Sequence, residues 1–162
     1  MNDNIEMSDS MKRVVTIILM SVLMSLTVNA QSRLYVLELF GRYRALPDVV
    51  EVYVTGKEAR TVNLETYRSL SMPASIDEAK KVEQMVVKDG VTAKEKEVEY
   101  RGGQLYYGFY MLKPVMKNDK KWNRYLFYLN QSLAKKNPTD RITMIYMEGG
   151  ADVDYIKSLI KK

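Results

Sequence analysis

Residues 94 to 112 read KEKEVEYRGGQLYYGFYML. Within them the spacing of like side chains changes from the helical 3.6 to an alternation of two. Lys96 to Arg101 alternates charge with Val98 and Tyr100. Gly102-Gly103 tolerates the positive φ that a two-residue hairpin turn needs, and Gln104 to Leu112 is the return strand. A third strand is expected over 122–130 (WNRYLFYLN), and a fourth over 141–148 (RITMIYME) after the Asn137-Pro138 turn. Consecutive strands joined in this way form an antiparallel meander.

The flanks have helical spacing. Over 32–46, Leu34, Val36, Leu37, Leu39, Phe40 and Tyr43 recur at three- and four-residue steps, and Pro47-Asp48 stops the pattern. A strand is expected over 49–55, closed by Gly56. Residues 61–71 are ambiguous, with Leu64, Tyr67, Arg68 and Leu70 suiting a short helix. Ser75-Ile76-Asp77-Glu78 has the form of a capping box, opening a helix with the stripe Ala79, Val82, Met85 and Val86 and ending at Asp89-Gly90. A last helix is expected over 152–161, with Asp152 and Asp154 at its positive end and lysines at its negative end. The predicted fold class is α+β: a mostly antiparallel sheet of about four to five strands, with three to four helices mainly on one face.

Residues 11–30 read as a secretory leader. Lys12 and Arg13 precede an uncharged stretch, Val14 to Thr27, and small residues lead to cleavage after Ala30. The stretch is too short for the roughly 30 Å hydrocarbon core of a bilayer. Asp3, Glu6 and Asp9 do not fit a leader, so translation is expected to begin at Met11, and 31–162 is expected to form a single domain. The expectation is a protein exported to the periplasm or beyond, with no membrane span after cleavage.

Composition excludes several chemistries. The chain has 25 Lys+Arg against 20 Asp+Glu, a formal charge of +5, and neither His nor Cys. Thiol nucleophiles, Cys/His zinc sites, Ser-His-Asp triads and disulfides are excluded. No metal or other cofactor is expected. The charge is spread along the chain, which argues against nucleic acid as a partner.

Residues 102–110, 123–130 and 145–149 resemble blocks shared by small exported proteins of Bacteroides-type bacteria, grouped as a domain of unknown function. The first helix and the strand after Asp48 are similar too, so the resemblance covers most of 33–162. It implies an exported protein of this fold and brings no activity.

The candidate contact surface is aromatic. Nine of the sixteen aromatics fall between Tyr100 and Tyr128. Alternation sets Tyr107, Phe109, Met111, Tyr125, Phe127 and Leu129 on one side of the sheet. Tyr106, Tyr110, Trp122, Arg124 and Tyr128 take the other. One set must be core. With the first as core, the second is either covered by loops or the first helix, with its Tyr hydroxyls at the rim, or left open as an aromatic platform of the kind where partners bury surface. The expected function is therefore non-enzymatic binding of a peptide, protein or glycan, or self-association. The alternatives are a small hydrolase or lyase using Tyr106, Arg124 and Glu148, and a structural subunit of the envelope. Lys113, Lys117, Lys120, Lys121 and Arg124 are expected on a solvated loop. Helix capping accounts for Asp152 and Asp154 without a metal. Glu95, Glu97 and Glu99 read as the guarded side of an edge strand.

Overall fold

The computed structural model describes residues 33–160; the expected leader and its cleavage point lie outside them. Six strands follow in chain order: β1 (Val50–Thr55), β2 (Leu64–Met72), β3 (Glu95–Arg101), β4 (Gln104–Lys117), β5 (Lys120–Asn130) and β6 (Ile142–Gly149). The α-helices are α1 (Lys57–Arg60), α2 (Asp77–Gly90) and α3 (Val153–Ile160), and 3-10 turns occupy Tyr35–Glu38 and Gln131–Leu133. The strands form one antiparallel sheet in the order β1-β2-β6-β5-β4-β3.

The sheet is larger, and its helices fewer and differently placed, than the sequence suggests. Six strands replace the expected four to five because residues 64–72 form β2 and not a helix. The short apolar pattern there fits either period. Ladders to β1 on one side and β6 on the other, formed by residues distant in the chain, decide it. The helix expected over 32–46 is a four-residue 3-10 turn followed by further turns, and Gly41 takes φ +85°. Its apolar residues still face inward: Val36, Leu39, Phe40 and Tyr43 are all buried. The capping box does not form. Ser75 donates from its amide and its hydroxyl to Asp140 (2.9 and 2.6 Å), and Ile76 precedes α2 without a side-chain cap.

Both faces of the sheet carry core, which corrects the one-sided arrangement. On the first face Leu70, Met144, Tyr146, Leu126, Tyr128 and Tyr110 pack beneath Val82 and Val86 of α2 and the segment around Leu39. On the second, Phe109, Tyr125, Phe127 and Met147 pack with Ala59 of α1 and Ile156 of α3.

Two turns and two bulges set the register of the meander. Gly102 and Gly103 (φ +56° and +81°) close β3–β4, and Asn118-Asp119 (+49° and +59°) closes β4–β5. The second hairpin absorbs the expected loop: β4 continues to Lys117 and β5 begins at Lys120. Tyr100 pairs with Leu105 and Glu99 with Tyr107, so Tyr106 is an extra residue in β4. A second slip lies at Lys113-Pro114, where a missing N–H does no harm to the ladder.

Candidate functional site

The five residues of the expected platform do not form a surface. Tyr110, Tyr128 and Arg124 are buried at 2%, 0% and 5% exposure. The ring of Tyr110 lies between two glycines. A Cβ on Gly90 would come within 2.3 Å of it, and one on Gly108 within 2.7 Å. Helix α2 therefore approaches β4 closely enough to seal the first face. Burial pushes the Tyr110 hydroxyl up to about 12, aided by Tyr100 and Glu83, and raises Tyr128 further. Trp122 is half-buried and donates from Nε1 to the Lys117 carbonyl (3.3 Å). Tyr106, displaced by the bulge, lies under the Arg101 guanidinium, 3.3 Å from its ring centroid.

The enzymatic trio is not assembled either. Arg124 and Glu148 are register partners on β5 and β6, whereas Tyr106 lies six residues along β4 from Leu112, the partner of Arg124. At about 3.3 Å per residue that is roughly 20 Å. Arg124 donates from Nε to the Lys113 carbonyl (2.7 Å), and Glu148 accepts from the Tyr146 hydroxyl (2.7 Å) and from Lys117. These contacts tie β4, β5 and β6 together and satisfy buried polar groups. Burial and the neighbouring Glu148 carboxylate push the Tyr146 hydroxyl up, away from any role as an acid or base near neutrality. Asp152 accepts from the Tyr155 amide (2.8 Å) as a helix cap.

The open surface is on the second face, where α1 and α3 cover only part of the sheet. Between them lies a groove of about 470 Å³. Its floor is Tyr67, Ile145, Met147 and Leu129; Leu159 and Ile160 form one wall, Val54 and Val62 the other. The polar groups around it are Glu58, Thr61 and Thr143. Strand alternation turns these residues to one side of the sheet: Val54, Tyr67, Met147 and Tyr125 follow one another across it, as do Val52, Ser69, Ile145 and Phe127. Of the sequence-derived sets, only the one taken for core, Tyr107 to Leu129, reaches this side. Tyr67, Ile145, Leu159 and Ile160 went unrecognised. The alternation of Ile145 and Met147 on β6 was the available signal, but no local pattern shows that a short helix leaves a floor half-covered.

Such a six-stranded antiparallel sheet, sealed on one face and grooved on the other, presents an apolar cleft within the size range of small-molecule sites. The chain belongs to the family of unknown function DUF6108, whose model matches residues 23–160. Neither a curated protein nor a solved structure matches it.

Proposed function

We propose that the chain is an exported, non-enzymatic binding protein that takes an uncharged, apolar small molecule into the groove between α1 and α3. The observation carrying this reading is the groove itself: about 470 Å³ with apolar walls and floor, in a fold whose opposite face is filled by its own helix. Sites of 300–1,000 Å³ with mostly apolar lining and few polar groups are the usual form of small-ligand pockets. Glu58 is the single charged residue lining it, so a carboxylate-bearing ligand is disfavoured relative to a neutral one. The leader pattern of residues 11–30 supports export, and so does the resemblance to small exported Bacteroides-type proteins.

Titration of the full-length chain with the neutral fluorophore N-phenyl-1-naphthylamine tests the reading. Saturable enhancement of emission is expected. Leu159→Lys, on the groove wall, should weaken it at least tenfold, about 1.4 kcal/mol. Tyr155→Lys, on the same helix but outside the groove, should leave it unchanged. Both side chains are exposed, so neither substitution empties the core. Equal binding by the two variants, or none by the native chain, rejects the proposal.

A further inference from the structure

We propose that β1 is a self-pairing edge: two copies of the chain join antiparallel along Val50–Thr55, about a two-fold axis at Val52, so that the sheet continues from one molecule into the other. Among the described residues β1 pairs with β2 on one side and with no strand on the other. An unpaired strand edge offers a row of N–H and C=O groups to any strand that fits it, and proteins commonly guard such edges with charge.

The two edges of this sheet are treated differently. On β3, Glu95, Lys96, Glu97 and Glu99 are all exposed. On β1 the exposed side chains include Val50, Val52 and Tyr53. The one charged residue of β1 is Glu51, and its carboxylate is engaged by its own fold. It accepts from the Gly41 amide (2.7 Å), from Arg44 Nε (3.2 Å) and from Arg68 (3.1 Å). A second strand can therefore approach without meeting an unpaired like charge.

The strand is complementary to itself. In antiparallel register about Val52, Val50 opposes Val54 of the second copy and Val52 opposes its own counterpart, all on the second face. Glu51 opposes Tyr53 on the first face. The same two-fold brings Asp48, just before β1, to the end of the ladder where Gly56 and Lys57 of the second copy follow its β1. Asp48 and Lys57 are both exposed, and the pairing of opposite charges recurs at the two ends of the ladder. Each half of the contact supplies what the other lacks, as a two-fold interface requires. That reciprocity, together with the Asp48–Lys57 complementarity, singles out a second copy over a foreign strand.

The absence of cysteine from the chain makes the register directly testable. Directly opposed residues have Cβ atoms about 4.5–5.5 Å apart, close to disulfide reach. Val52→Cys in the full-length chain should form a disulfide-linked dimer under mild oxidation. Val98→Cys, on the charged edge, should remain monomeric on the same non-reducing gel; the two valines are 41% and 40% exposed. In sedimentation the native chain should shift from monomer to dimer with concentration. Val52→Lys should stay monomeric with unchanged melting. A native chain that is monomeric at every soluble concentration overturns the proposal, as does cross-linking of Val98→Cys as readily as Val52→Cys. The first outcome would leave β1 to a strand from another protein.

Discussion

Tyr128→Ser is expected to cost about 3–5 kcal/mol of folding stability, the range for emptying an aromatic site in a packed core. The side chain is fully buried on the first face, at the centre of the cluster that joins the sheet to α2. Its register partners are Gly108 on β4 and Met144 on β6. Gly108 has no side chain to move into the space, and the Tyr110 ring beside it is already held between Gly108 and Gly90. Serine would leave a cavity that its neighbours cannot close, along with a polar group in the core. Tyr128→Phe keeps the ring and loses only the hydroxyl with its bond to the Asn130 side chain, which should cost about 1 kcal/mol, the typical net contribution of one hydrogen bond. Tyr106→Ser, at the half-buried bulge, should cost less than Tyr128→Ser by at least 2 kcal/mol. Urea unfolding of the three variants at constant slope gives these differences directly. A Tyr128→Ser variant as stable as the native chain would mean that the first face is open and not sealed by α2.

The contrast between Tyr106 and Tyr128 also shows what the sequence could reveal. Strands β3 to β6 announce themselves because their alternation is long and Gly102-Gly103 demands a particular turn. Alternation also sorts β5 correctly into two faces. It cannot say which face a distant helix will cover, and here helices cover both. The parity of β4 breaks twice, at Tyr106 and at Lys113-Pro114, because bulges are fixed by pairing with β3 and β5, and the first leaves no local mark at Tyr106. Strand β2 was illegible for a related reason: its nine residues are held by partners at both sides, against a weak helical spacing of their own. The groove was hardest to see. Its lining comes from β1, β2, β5, β6, α1 and α3, and what makes it a groove is the shortness of α1, which spans only Lys57–Arg60.

Asp89 illustrates the same limit and carries a second large effect. In the sequence it reads as part of a helix stop. In the structure it lies in the last turn of α2, where the helix dipole disfavours negative charge, and it is buried. Its carboxylate accepts from the Tyr35 amide (3.0 Å) and the Val36 amide (2.9 Å). Lys88 reinforces the junction, its ammonium 3.6 Å from the Tyr35 ring centroid. These contacts fix the segment whose Val36, Leu39, Phe40 and Tyr43 complete the first core. Asp89→Ala leaves two backbone N–H groups without their acceptor, at about 1–3 kcal/mol each. With both amides stranded together, a loss of about 3–5 kcal/mol at pH 7 is expected.

The pH dependence gives this assignment an independent check. Burial raises the Asp89 pKa above its ordinary value of 3.8; the Val36 and Tyr35 amides and the charges of Arg124 and Lys88 oppose the rise without cancelling it. A raised carboxylate is destabilising when ionised. Its cost is fully present above the folded-state pKa and fades as pH falls from there towards 3.8. The stability gap between the native chain and Asp89→Ala should therefore widen on acidification through that window. Glu51 moves the other way: burial raises it, but the bonds from Arg44, the Gly41 amide and Arg68 together outweigh burial and lower it. Its contribution is lost as pH falls below 4.5, but it is present in both proteins and drops out of the difference. Chemical denaturation of the pair at pH 7 and at steps down to pH 3.8 measures the gap. If it narrows with acid, the carboxylate is held by ion pairing more than it is penalised by burial, and the view of Asp89 as a desolvated anchor for the Tyr35–Val36 amides fails.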